Sequence, residues 1–154
     1  MSSRRRIAAL SVAAGAVVLG GAGAFAIAQA GEQEPTLAHS AARYTAPTGG
    51  HDGSLAFTTE VTASSGVRSL KVLAWPAADS QLGKKPPTAK ELAAVESATC
   101  EAAAADTARC TYTTPVSTAD AAASPHGTWH IAVLATARNG TTTLDTRAAD
   151  FEIG

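Results

Sequence analysis

The feature that most constrains the fold is an alternation of side chains close to the C-terminal end. In residues 129–138 every second side chain is apolar: Trp129, Ile131, Val133, Ala135 and Ala137. Asn139 and Gly140 follow directly, and this pair favours a type I′ turn, whose two central positions need a positive φ. The pattern predicts an antiparallel hairpin in which Trp129 points into a core and His130 faces solvent or the sheet edge.

Two earlier segments also carry strand patterns. Residues 55–62 alternate between an apolar side and a polar side, as expected for a strand with one face in water. Residues 70–75 differ, because Leu73 and Trp75 make the second face of that strand apolar as well. Another element must therefore cover that face.

The segment after this strand supplies a candidate cover. Thr88 followed three residues later by Glu91 matches a helix-capping pattern, and Leu92 and Val95 form a small apolar stripe. We expect one short helix at about residues 89–96, packed across the sheet. With five to seven strands and turns at this spacing, the sequence predicts an all-β, immunoglobulin-like antiparallel β-sandwich.

The N-terminal segment indicates export. Arg4, Arg5 and Arg6 form a basic head, residues 7–28 carry no charge, and Ala28-Gln29-Ala30 offers a small-x-small cleavage pattern before Gly31. Residues 1–30 are thus predicted to be a secretory signal peptide, and the protein to be secreted, touching a membrane only through this segment before cleavage. The alternative is a permanent anchor through residues 7–28, which are long enough to span a bilayer.

The rest of the chain is predicted to hold one domain. Prolines and glycines in residues 31–53 favour a flexible leader, with Tyr44 as the earliest candidate for an edge strand. His39 and His51 are interpreted as solvated leader residues rather than metal ligands. Residues 54–154 would form the sandwich domain. Cleavage leaves nine Lys and Arg residues against thirteen Asp and Glu, a formal charge of −4, which disfavours nucleic acid and anionic membranes as partners.

Cys100 and Cys110 are the only cysteines. In an exported chain such a pair is predicted to form a disulfide, here across the tip of a hairpin. The alternative of a redox-active pair is disfavoured because the spacing lacks the close Cys-x-x-Cys arrangement that lowers a thiol pKa.

Several of these residues carry a resemblance. Residues 127–142 resemble the closing hairpin of bacterial immunoglobulin-like domains, and residues 65–72 are similar to their internal turn and strand. Together with Trp75-Pro76, the cysteine pair and Tyr112, the chain resembles a family of small secreted streptomycete proteins of unknown function, over roughly residues 54–154. The resemblance implies the fold and no particular activity. Arg138 precedes Asn139-Gly140 where many members place an Asp, which weakens any case for calcium at this hairpin.

Catalytic residues are not indicated. His126 and His130 are four residues apart, which on a strand corresponds to about 13 Å. Three acidic residues could partner Ser124 or a histidine: Asp120, Asp145 and Asp150. No nucleophile elbow, metalloprotease helix or paired-carboxylate motif surrounds them. We therefore expect no enzyme, no cofactor and no metal ligands, and an uncharacterised enzyme with a convergent triad is the least favoured alternative.

Two non-catalytic functions remain, and the first is favoured. An extracellular binding or adhesion module would present loops at residues 77–88 and 116–124 to a protein or glycan. A secreted protease inhibitor would need a rigid loop beside the cysteines, where Arg109 is the only suggestive side chain. The sequence leaves the binding residues, the ligand and the oligomeric state open.

Overall fold

The structure is a computed structural model that describes residues 33–78 and 84–154. The predicted signal peptide, and its alternative as an anchor, lie outside the described residues. The elements in chain order are β1 (Thr36–Thr45), β2 (Gly53–Thr62), β3 (Val67–Pro76), α1 (Ala89–Leu92), β4 (Thr99–Ala102), β5 (Thr107–Val116), α2 (Thr118–Ala123), β6 (Gly127–Ala137) and β7 (Thr142–Ile153).

The strands form two antiparallel sheets. One has the order β1-β2-β5-β4 and the other the order β3-β6-β7. An immunoglobulin constant-type sandwich places its first, second, fifth and fourth strands in one sheet and its third, sixth and seventh in the other. The predicted all-β sandwich is confirmed, and its strand order is the immunoglobulin-like one.

The main core lies between the two sheets. Trp129 is 1% exposed, and its ring stacks on Phe151 with 6.0 Å between centroids. Tyr44 extends this stack from the edge strand of the other sheet, also at 6.0 Å from Phe151. The inward orientation predicted for Trp129 is confirmed, and this aromatic stack joins the first and last strands of the sandwich.

The outer face of the three-stranded sheet is apolar and covered. Leu73, Trp75, Ala132 and Leu134 form a second buried cluster there, completed by Leu92 of α1. The Thr88–Glu91 capping box is present, as predicted. The helix ends at Leu92 and is therefore shorter than predicted. It stops there because the chain turns, and residues 96–98 hydrogen-bond to the edge of β3.

The second short helix, α2, was not expected from the sequence. Its cap is Ser117, whose hydroxyl accepts a hydrogen bond from the Asp120 amide at 3.0 Å, while the Asp120 carboxylate accepts from the Ser117 amide. The Ser-x-x-Asp spacing is the sequence pattern that predicts such a cap. The cap alone does not predict a helix, because α2 buries none of its residues and no apolar stripe accompanies the cap.

The prediction of a flexible leader is wrong for Thr36–Thr45, which form β1 and pair with β2 along their length. Tyr44 does lie in an edge strand, as expected, but the sequence does not predict that this strand begins at Thr36, because its inward side chains are only half-buried: Leu37, Ala42 and Tyr44. An edge strand needs fewer apolar side chains than an inner strand, so the apolar alternation in its sequence is weak.

The hairpin between β6 and β7 is confirmed, but its turn is not of type I′. Only Gly140 has a positive φ, of 91°, and its amide donates to the Ala137 carbonyl at 3.0 Å. The Asn139 side chain accepts from the Thr141 amide at 3.0 Å, and this bond suits a turn in which Asn139 keeps a negative φ. The result is a longer loop with glycine at its left-handed position.

The expectation that His130 faces solvent or the edge is wrong. His130 lies on the outer face of the three-stranded sheet as its register requires, but only 7% of it is exposed. Its ring centroid lies 4.7 Å from that of Trp75, and Nδ1 is hydrogen-bonded to the Asp150 carboxylate. The broad Trp75 ring on the neighbouring strand shields this position from water.

The disulfide is confirmed between Cys100 and Cys110, which lie directly opposite each other on β4 and β5 with 4.0 Å between Cα atoms. Cys110 is fully buried. The bridge staples two neighbouring strands of one sheet, and restricting so short a loop in the unfolded chain contributes roughly 2 to 3 kcal/mol. Within the described residues, no helix has the length and apolar character needed to cross a membrane.

Trp129→Ala is expected to lower the free energy of unfolding by about 3 to 5 kcal/mol, because it empties a large buried site. His130→Ala should cost about 1 to 3 kcal/mol, since it removes a buried ring contact and the bond to Asp150. Thr113→Ala, at an exposed position, serves as the control and should stay within about 0.5 kcal/mol. Chemical denaturation measures all three, and a silent Trp129→Ala would show that the register of β6 is assigned wrongly.

Candidate functional site

The two outer faces of the sandwich differ in what they expose. The outer face of the three-stranded sheet is covered by α1, whereas the outer face of the four-stranded sheet is exposed. We call the latter the open face and define it by the outward-pointing residues of β1, β2, β5 and β4: Ala41, Arg43, Ala56, Thr58, Glu60, Thr62, Thr107, Arg109, Thr111, Thr113, Thr99 and Glu101.

Small polar side chains dominate the open face. Thr58, Thr111 and Thr99 lie directly opposite one another on β2, β5 and β4, so they form a row across the sheet. A parallel row holds Thr62 and Thr107, whose hydroxyls are 2.9 Å apart. Short side chains of this kind keep the face flat and lose little rotamer freedom when another surface covers them.

A charged row lies between these two threonine rows. Glu60 accepts a hydrogen bond from Nη2 of Arg109 at 3.0 Å, and its other carboxylate oxygen lies 2.9 Å from Nδ1 of His39. Glu101 is opposite Arg109 on the far side, in β4. Across the sheet the order is therefore His39, Glu60, Arg109, Glu101. A shallow cavity of about 180 Å³ lies beside this row, lined by His39, Thr58, Thr59, Glu60 and Arg109.

A bulge in the edge strand brings His39 to this row. The register between β1 and β2 shifts between Ala38 and Ala41, and His39 adopts a φ of 54°, a left-handed value that is uncommon for a residue with a side chain. Ser40 and the Ala38 carbonyl both hydrogen-bond to the Thr59 hydroxyl, at 2.8 and 3.2 Å, and hold the bulge in place. The bulge also interrupts the edge against pairing with another strand.

The electrostatics of the charged row are centred on Glu60. The hydrogen bond with His39, followed by that with Arg109, lowers the pKa of the Glu60 carboxyl below its ordinary value. Glu60 is therefore ionised at neutral pH and anchors the two side chains on either side of it.

The residues considered for catalysis are mostly engaged in local structure. The Ser124 hydroxyl donates to the Asp120 carbonyl at 2.7 Å, and the Asp145 carboxylate accepts from the Arg147 amide at 2.9 Å. His126 is exposed in the turn before β6. Only one of the predicted combinations is brought together, namely that of Asp150 with the buried His130. Among the described residues, no group of three or more His, Cys, Asp or Glu is placed to hold a metal ion.

The loops predicted to bind a partner lie at one end of the sandwich. Gly53, where β2 begins, pairs with Val116, where β5 ends, and the antiparallel course of the chain brings Pro76 to the same end. Residues 79–83 of the first loop are outside the described residues, and most of the second loop is α2. Arg109 is not in a loop, because it lies within β5 between β2 and β4.

Sequence reasoning missed the open face as a site. The polar sides of β2 and β5 were visible as alternations, but which residues face each other across strands depends on register. One signal in the sequence does point to it. Polar side chains alternate at Arg109, Thr111 and Thr113, as they do on the polar side of residues 55–62.

Comparison with known proteins yields one family. The model of DUF5707, described as a family of unknown function, matches residues 37–135. No curated protein and no solved structure matches the chain. The matched segment begins in β1 and ends in β6, so it contains every residue that defines the open face.

We expect the Glu60 carboxyl to titrate below the ordinary pKa of glutamate in carbon-detected NMR. His39→Ala should move its midpoint upward, because the largest cause of the lowered pKa is removed. His51→Ala, at the opposite end of the strands, should leave the midpoint unchanged. Since the pKa is lowered on folding, the contact stabilises the fold above the unfolded pKa of glutamate and is lost as pH falls through the folded one. An unmoved midpoint in His39→Ala would contradict this geometry.

Proposed function

We propose that this chain, which belongs to the DUF5707 family of unknown function, is an exported, non-catalytic binding or adhesion module that engages its partner through the open face. The observation that carries the proposal is the contrast between the two outer faces. One sheet is covered by its own helix, while the other exposes a flat array of threonines around a fixed row of charges.

Export is supported by the cysteines and by the N-terminal sequence. A disulfide suggests an oxidising, extracellular environment, because cytosolic thiols are normally kept reduced. The basic head and the uncharged stretch of residues 7–28 fit a secretory signal that is removed before Gly31.

A binding role is supported by the preorganisation of the open face. Each of its central side chains stands on a strand that is hydrogen-bonded on both sides, since β2 and β5 are the inner strands of the sheet. Glu60 is held by two partners from neighbouring strands. Because the surface is already ordered, a partner would not have to supply the free energy of ordering it.

A non-catalytic role is supported by the state of the reactive side chains. Ser124 and Asp120 are engaged in the cap and end of α2, and Asp145 is bound to backbone. The ring of His130 is buried against Trp75, in the cluster that α1 covers.

The character of the open face favours a protein partner over a glycan. Flat sugar rings are usually held by exposed aromatic side chains, which combine an apolar body with a polar tip. None of the open-face residues is aromatic. Threonine, alanine and paired charges instead suit another protein surface of similar size and polarity.

The inhibitor alternative receives no support from the position of Arg109. A protease takes its inhibitor as a free, extended loop, whereas Arg109 lies in the interior of β5 with strands on both sides. Its guanidinium is bound to Glu60.

The proposal is tested with the mature protein, residues 31–154, immobilised and exposed to secreted and cell-surface proteins of its own host. Thr111→Arg places a long charged side chain at the centre of the open face and should reduce capture of a partner by at least about tenfold. Thr142→Arg makes the same change on an exposed position of β7 and should capture as much as the unchanged protein. Equal capture by both variants, or no saturable capture at all, would contradict the proposal.

A further inference from the structure

We propose that the open face binds a second copy of this chain, face to face, about a two-fold axis that runs parallel to β2 and β5. This inference rests on the proposed binding role of the open face and names its occupant. The inference rests on the order of charges across the sheet. When this row is reversed and laid against itself, each charge meets one of opposite sign.

The charges alternate in sign across four strands. His39, a cation when protonated, comes first on β1, then the anion Glu60 on β2, the cation Arg109 on β5 and the anion Glu101 on β4. A two-fold axis parallel to the strands, placed between β2 and β5, keeps each row in line with itself and reverses the order of the strands. The rotated row therefore presents every charge to one of opposite sign.

The pairs that result can be named. Glu60 would face Arg109 of the second copy, and Arg109 would face its Glu60, so the central contact occurs twice, as in every isologous interface. His39 and Glu101 would meet at both edges in the same way. Glu101 is exposed and forms no ion pair within the described residues, so its carboxylate is available for this contact.

Other arrangements of the same two faces are less favourable. A two-fold axis across the strands, at the level of the charged row, would place Glu60 against Glu60 and Arg109 against Arg109. Like charges brought together in an interface disfavour it strongly. The charge pattern thus selects the axis as well as the partner.

The uncharged rows fit the same axis. Thr58 would face Thr111 of the second copy, and Thr62 would face Thr107, while Ala56 would meet Thr113. All of these side chains are short, so two flat surfaces can approach closely, and little rotamer entropy is lost on contact. No like-charged pair arises in these rows.

The size of the face predicts a weak, reversible dimer. Three ten-residue strands, each about 33 Å long and about 4.8 Å from the next, give a surface of about 480 Å². With the shorter β4, two apposed faces bury about 1,000 Å² or slightly more, which is the lower limit for a specific interface. Charge complementarity, rather than apolar area, would then decide the partner.

Sedimentation velocity with two charge variants of the mature protein tests the inference. Arg109→Glu makes both central positions of the charged row anionic, and Glu60→Arg makes both cationic, while His39 and Glu101 still face each other at the edges. Each variant alone should remain monomeric from about 10 µM to about 1 mM, the range in which a small interface associates. An equimolar mixture should sediment as a dimer, because every central charge again meets its opposite. Lys90→Glu, on α1 at the other sheet, should dimerise like the unchanged protein.

A second measurement does not depend on any variant. Dimerisation of the unchanged protein should weaken at least about tenfold between 0.1 and about 1 M NaCl, because the screening length falls from about 10 to about 3 Å. Circular dichroism of the variants shows whether each remains folded, and the salt series decides the matter where one does not.

Each outcome bears on the inference separately from the proposed function. A protein that is monomeric throughout this range, variants that dimerise as well alone as mixed, or a dimer indifferent to salt would overturn self-association. If such a protein still captured a different partner in a manner blocked by Thr111→Arg, the binding role of the open face would stand and only its occupant would be wrong.

Discussion

The structure depends on one constraint, which is that β3 and β6 carry apolar side chains on both of their faces. The inner side of this sheet is buried against the other sheet, so the outer side needs a separate cover. Trp75 contributes most to this need for a cover, because leaving so large an apolar ring in water has a substantial free-energy cost. Its indole N–H is satisfied by the Thr146 carbonyl at 3.0 Å, and α1 adds Leu92 to the cluster around it.

This arrangement determines what each half of the molecule can do. The three-stranded sheet uses both of its faces for stability, and the ring of His130 is buried there against Trp75, while the Asp150 carboxylate that it contacts is exposed. The four-stranded sheet is apolar on one side only. Its second side is free to carry threonines and charges, and the Cys100–Cys110 bridge fixes the short strand at its border without contributing to that surface.

The sequence predicted those parts of the fold that depend on neighbours along the chain. Alternation located β2, β3 and β6, and the Thr88–Glu91 spacing located α1, because strand period and helix caps are local properties. It failed where burial is partial: β1 exposes one edge, and α2 buries nothing. His130 was misplaced for a third reason, since its shield is a side chain on another strand.

The candidate site could not be predicted from the sequence because, like the burial of His130, it depends on contacts between different strands. Glu60 and Arg109 are 49 positions apart, and only the register of β2 with β5 makes them partners. The left-handed bulge that adds His39 occurs in a segment without a strong pattern.

The central claim is that one outer face is covered and the other open, and solvent paramagnetic relaxation of methyl groups tests it most directly. With a soluble, uncharged spin label, the methyls of Thr58, Thr111 and Thr113 should relax strongly in a dilute sample. Those of Leu73, Ala132 and Leu134 should be protected although they lie on an outer face as well. Equal relaxation of the two sets, or protection of the threonines alone, would contradict the account.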